Sequence, residues 1–234
     1  MIAGLALTAM IVAGCARGPA GGGAGDAAVS PTTANATANN PVNSGTTVTE
    51  PVARTPVSAT GTAYQVVQDQ SEAAYAVGET FLGQQRDVVA VGKTTAFFGA
   101  IVLDGGVIQP STVEVDLTTL KSDQSRRDNQ VQRVLDTRNH PRAVFQISGA
   151  EGDPVLTEGQ EVPIKLNGTM TIKGTDKPLT FDATARLEGD KLTLTATTTF
   201  DMTEFGVNPP NIANFVAVED EVKLTVTFVG QKQG

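Results

Sequence analysis

The chain has no tryptophan, one cysteine (Cys15) and one histidine (His140) in 234 residues. A lone cysteine cannot close an internal disulfide, and with a lone histidine it cannot furnish the ligand cluster of a zinc site. No Gly-x-Ser-x-Gly elbow accompanies His140, which precedes Pro141 and reads as a helix-end surface residue rather than a base. None of the 25 acidic residues is spaced as an acid/base pair. No catalytic and no metal-binding residue is assigned, and the expectation is a protein that is not an enzyme. Basic residues are also scarce, 17 in all, for a net charge of −8 and no basic run. Such a surface repels phosphate backbones and anionic lipid, so nucleic acid is not an expected partner and membrane attachment must come from another device.

That device is expected at the start of the chain. Ile2 to Gly14 is an almost unbroken apolar and small-residue run, the length of a signal-peptide core and too short to span a bilayer comfortably. It ends in Val12-Ala13-Gly14-Cys15, which resembles the lipobox of bacterial lipoproteins, where the cysteine is acylated and becomes the mature N-terminus. No Lys or Arg precedes the run, unlike the usual export signal; a start a few residues upstream of Met1 is the expectation that follows. The alternative for Cys15 is an incidental free thiol. Residues 1–15 are thus read as a lipoprotein signal with its lipidated cysteine, and the address as exported and lipid-anchored to the cell envelope, periplasmic or on the outer membrane face.

Residues 16–61 are built from Gly, Ala, Thr, Asn, Pro, Ser and Val, without an aromatic residue or a sustained hydrophobic period. They cannot bury enough apolar area to offset their ordering entropy and are expected to be a disordered linker. A flexible coil of that length reaches roughly 35 to 40 Å.

Residues 62–234 form the expected folded domain. Leu166, Gly168, Met170 and Ile172 alternate with Asn167, Thr169, Thr171 and Lys173, and the same period of two recurs over 179–187, 192–200 and 222–228. These are antiparallel strands with one wet face. Gly174 to Pro178 and Glu188-Gly189-Asp190 separate the central three as hairpin connections. Further strands are expected at 64–67, 73–81, 95–103, 111–118 and 143–148. Eight to nine one-sided strands favour closure, because a barrel removes exposed edges. The expected fold is all-β: a closed antiparallel eight-stranded β-barrel with one short helix, a two-sheet sandwich being the alternative. The helix is expected over Ser125 to Asp136, where Val131, Val134 and Leu135 have helical spacing and Ser122, Asp123 or Ser125 is placed to cap it.

Three stretches resemble the YceI-like domains. The first is Arg127-Asp128-Asn129, then Val134-Leu135-Asp136, then His140-Pro141-Arg142-Ala143-Val144-Phe145. The second is the hairpin from Gly168 to Pro178, and the third is Asp201 to Pro210 followed by Val218 to Val222. Their order and spacing cover most of Thr95 to Val229. The entry departs from the family, since Tyr64 and Ser71 to Tyr75 carry no histidine. The resemblance implies a lipocalin-like barrel that binds polyisoprenoid lipids.

Inward positions mix large residues with Gly168, Ala183, Ala185 and Ala196, which favours a cavity over a filled barrel. Its expected lining is Phe145, Ile147, Met170, Phe181, Leu194, Phe200, Phe215 and Val226, a surface suited to an isoprenoid or other long-chain lipid held non-covalently by area burial. Phe205, Ile212 and Phe215 are candidates for a lid. Arg126, Arg127 and Arg133 are candidates for contact with a polar head group, or simply structural cations of the helix. No cofactor is expected beyond the lipid, and a homodimer is compatible with the sequence. The expected function is to sequester or carry the lipid near a membrane. The alternative is a filled-barrel stress-response or protein-interaction module.

Overall fold

A computed structural model describes residues 60–81, 86–210 and 216–233, with the side chains of Arg86 and Asp87 excepted. The expected signal segment, with Cys15, and nearly all of the expected linker lie outside the described residues, as do Ile212 and Phe215.

The described residues form eleven strands and one α-helix. In chain order they are β1 (Thr62–Val66), β2 (Glu72–Phe81), β3 (Arg86–Thr94), β4 (Phe97–Asp104), β5 (Val107–Asp116), β6 (Lys121–Ser122), α1 (Ser125–Val134), β7 (Arg142–Ala150), β8 (Glu161–Ile172), β9 (Thr175–Glu188), β10 (Lys191–Asp201) and β11 (Val216–Lys232). Every strand pairing is antiparallel, and the circuit β1-β4-β5-β7-β8-β9-β10-β11 closes because β1 also pairs with β11. This is the expected eight-stranded barrel, with β2, β3 and β6 added to it.

The additions arise from one kink. β1 and β2 run along different halves of the long strand β11: Tyr64 to Val66 face Gly230 to Lys232, while Glu72 to Phe81 face Val216 to Thr227. Between them Ser71 is 1% exposed, and its Oγ accepts from the Val229 N–H and donates to the Val67 carbonyl. The hydroxyl therefore gives the Val229 N–H a partner where the strand breaks, and joins the Gln70 N–H at the Val67 carbonyl. Beyond the kink β1 continues to β4, whereas β2 continues to β3 and β6. One half of the barrel is closed by β1; the other is widened by the β2-β3-β6 flap.

Alternation places the core as expected. Leu166, Met170 and Ile172 on β8, Phe181, Ala183 and Ala185 on β9, and Leu192, Leu194 and Ala196 on β10 are all buried. The β8-β9 connection differs from expectation. It is the two-residue turn Lys173-Gly174, both with positive φ (51° and 74°), and Thr175 to Pro178 already belong to β9. A turn with two positive φ values matches the twist of the flanking strands. Pro178 pairs with Thr169 on one side and precedes the stretch of β9 that pairs with β10, so its missing N–H costs no ladder bond.

Helix α1 starts where expected and ends two residues early. Its N-cap is Gln124, without a side-chain cap; instead Asp128 reaches back, its Oδ1 accepting from the N–H and hydroxyl of Ser122 at 2.8 and 2.7 Å. These bonds hold the Asp128 carboxyl below the usual carboxylate range, and its negative charge suits the first helical turn.

Candidate functional site

The widened half of the barrel is hollow. A cavity of about 610 Å³ lies between β2, the second half of the barrel wall and α1. The odd-numbered residues of β2 (Ala73, Tyr75, Val77, Glu79 and Phe81) form one wall, as period-two geometry requires. Val216, Val218, Val222, Leu224 and Val226 of β11 form the next, and Phe200, Met202, Phe205 and Val207 close the side beyond β10. Met170 and Ile172 enter from β8, Ala143 from β7 and Val115 from β5. Helix α1 lies over the space with Val131, Val134 and Leu135, beside Arg126, Arg127, Gln130 and Arg133. The hollow explains why inward-pointing Tyr75, Phe200, Leu224 and Val226 are only half-buried although they pack against the core.

Met170, Phe200 and Val226, expected in the lining, do line this cavity, and all three arginines of α1 border it. Phe145, Ile147, Phe181 and Leu194 do not: they are at most 9% exposed and belong to the packed core of the other half, where the Phe145 and Phe181 rings meet edge to face at 5.0 Å. The expectation that they line the cavity is corrected by the height at which they stand, since inward orientation alone does not say which half of a barrel a side chain enters. Phe215 lies outside the described residues. Phe205 is 1% exposed, stacked edge to face on Phe200, and forms part of the wall.

A polar cluster crosses one side of the apolar wall. Arg127 donates through Nε and Nη2 to both carboxylate oxygens of Glu79, at 3.0 and 2.9 Å, and through Nη1 to Asp123. The Arg127 and Glu79 side chains are each 11% exposed, so this bidentate pair ties α1 to β2 away from bulk water. The bonds to Glu79 outweigh burial and hold the guanidinium pKa above its usual value. Arg127 is thus neutralised. Arg126 and Arg133 are exposed, and the described residues offer neither a carboxylate partner.

Tyr75 and Glu79 were not among the expected site residues. Tyr75 stands opposite Gly92 of β3, and a Cβ on Gly92 would collide with the phenol ring. Gly92 therefore makes the room that Tyr75 occupies. Burial pushes the Tyr75 phenol up to about 12, with Arg127 opposing and Asp128, Glu79 and Asp123 adding. Burial also raises Tyr64, the chain's other tyrosine. Because the folded pKa exceeds the unfolded value of about 10, Tyr75 stabilises the fold fully below that pH, and its contribution is lost as pH rises through 12. A phenol absorbance titration should show no ordinary tyrosinate in the native chain. In Tyr75→Phe the step near pH 12 should disappear.

Among the described residues no group of His, Cys, Asp and Glu could hold a metal ion, and no helix is long and apolar enough to cross a membrane. The fold and the hollow together define a lipocalin-type antiparallel barrel, filled at one end and helix-covered at the other. The chain belongs to the YceI-like domain family, whose model matches residues 64–230. A UPF0312 protein of Pseudomonas putida (strain W619) is 30% identical over 152 residues, which are 61% of this chain and 73% of the relative. Among solved structures, a polyisoprenoid binding domain from Saccharophagus degradans, implicated in plant cell wall breakdown, superposes with a TM-score of 0.59 at 12% identity, covering 74% of this chain and 99% of that one. BcnA of Burkholderia cenocepacia superposes with a TM-score of 0.55 at 19% identity, covering 70% and 98%. At these identities the two structures are similar in fold.

Proposed function

We propose that this chain binds a long-chain lipid, a polyisoprenoid or similar amphiphile, in the cavity beneath α1, and sequesters or carries it near a membrane. The observation that carries the reading is the cavity: about 610 Å³, walled mainly by valine, leucine, phenylalanine and methionine. Such a wall favours a guest by the area it removes from water, about 25 cal/mol per Å², rather than by hydrogen bonds. The description of the Saccharophagus neighbour as polyisoprenoid binding supports the same ligand class. Met170, Phe200, Leu224 and Val226 contact the chain of the lipid in this reading. Arg126 and Arg133, without carboxylate partners, meet its head group, while Arg127 serves the ion pair.

The tether belongs to the same proposal. Cys15 at the end of the lipobox-like run would carry the acyl chains, and the 16–61 segment would let the barrel range roughly 35 to 40 Å from the bilayer. The chain would then be exported and anchored to the cell envelope, with its lipid always within one linker length. Native mass spectrometry of the chain, gently released from membranes, tests both parts. A retained long-chain lipid and an acylated Cys15 are expected. Protein that is always empty contradicts the ligand, and a mature chain with an unmodified Cys15 contradicts the tether.

A further inference from the structure

The cavity has a floor, marked on several strands by the deepest lining residue and the buried side chain beyond it. On β11 the lining ends at Val226, and the next inward residue, Phe228, is 1% exposed. On β7 it ends at Ala143, with Phe145 below, and on β8 it ends at Met170, the cross-strand partner of Phe145. Phe181 backs Phe145 edge to face, so an aromatic layer separates the hollow half from the packed half. A guest could pass this layer only by displacing rings from close-packed positions, which interiors resist.

We infer that the site measures chain length: it takes up one chain segment of about 20 carbons, because about 610 Å³ shared among chain groups of roughly a water's size, ~30 Å³ each, leaves room for about that many. This rests on the proposed lipid-binding function and adds a limit to it. A polyisoprenoid of about four units fits whole. A longer one leaves its remaining units outside the cavity, exposed or lying in the membrane, and gains little from them.

The test is a binding series with the delipidated full chain: geraniol, farnesol, geranylgeraniol and octaprenol, each competing in the same detergent against a fluorescent fatty acid. Affinity should rise by at least about tenfold per added isoprene unit up to geranylgeraniol, then change by less than about threefold to octaprenol. A gain that continues undiminished to octaprenol overturns the length limit and leaves lipid binding standing. Absence of binding at every length overturns both.

Ala73→Phe supplies the second arm. Ala73 lines the cavity opposite Val226, at the floor. A ring there takes about the space of one isoprene unit, so the break should move from geranylgeraniol to farnesol. An unmoved break in the folded variant overturns the inference, and the unsubstituted series decides it alone if the variant does not fold.

Discussion

Val226→Trp should abolish most lipid binding while leaving the fold intact. Val226 lines the cavity, and its cross-strand neighbours are Ala196 on β10 and Ala73 on β2, so an indole has room on both sides to lie into the hollow. The usual cost of overpacking comes from forcing side chains off their rotamers; here the added volume enters space no side chain fills. The guest loses what the indole takes. Displacing about four methylenes removes about 3 kcal/mol, or roughly a hundredfold in affinity. The melting temperature should move by no more than a few degrees. Equal affinity in a folded variant would mean that the lipid sits elsewhere.

Glu79→Ala should have the largest effect on stability. It strips Arg127 of the partner that takes two of its hydrogen bonds and leaves a guanidinium, 11% exposed, hydrogen-bonded only to the exposed Asp123. Breaking a buried pair by removing one partner costs about 3 kcal/mol at the low end, the end that applies because Asp123 remains. For a domain of this size that lowers the melting temperature by about 6 to 12 °C. Removing both charges avoids the unpaired guanidinium, so Glu79→Ala combined with Arg127→Met should be more stable than Glu79→Ala alone. The same pair fastens α1 to β2 across the cavity, and the single variant should also exchange bound lipid faster in a stopped-flow displacement. A single variant as stable as the parent would remove the ion pair from the account.

Much of this architecture is legible in the sequence because period-two alternation survives in the barrel strands. Leu166-Met170-Ile172 and Leu192-Leu194-Ala196 point inward as their spacing requires. β3 escapes that reading because Val88-Val89-Ala90-Val91 is a continuous apolar run, and Val89 and Val91 are in fact exposed. β6 is two residues long, and no periodicity exists at that length. The position of the hollow is harder to read for a different reason. Alternation reports inside against outside and is silent on height, so Met170 and Phe145, cross-strand partners that both point inward, look equivalent although one lines the cavity and the other lies under its floor. The widened half begins at the kink at Ser71, whose hydroxyl bonds the nearby Val67 and also Val229, 158 positions away in the sequence. Glu79 did carry a signal: it is a carboxylate on the apolar face of β2, which calls for a buried cation. Its partner Arg127 is 48 residues away.

The absence of tryptophan makes the central claim directly measurable, because tyrosine emission is unmasked. Of the two tyrosines, Tyr75 lines the cavity and Tyr64 is buried in the packed core. A long-chain amphiphile brominated along its chain should quench Tyr75 on binding, and Tyr75→Phe should abolish the quenching while still binding the unlabelled lipid. Binding without quenching in the parent chain, or quenching that persists in Tyr75→Phe, would place the lipid outside the cavity beneath α1.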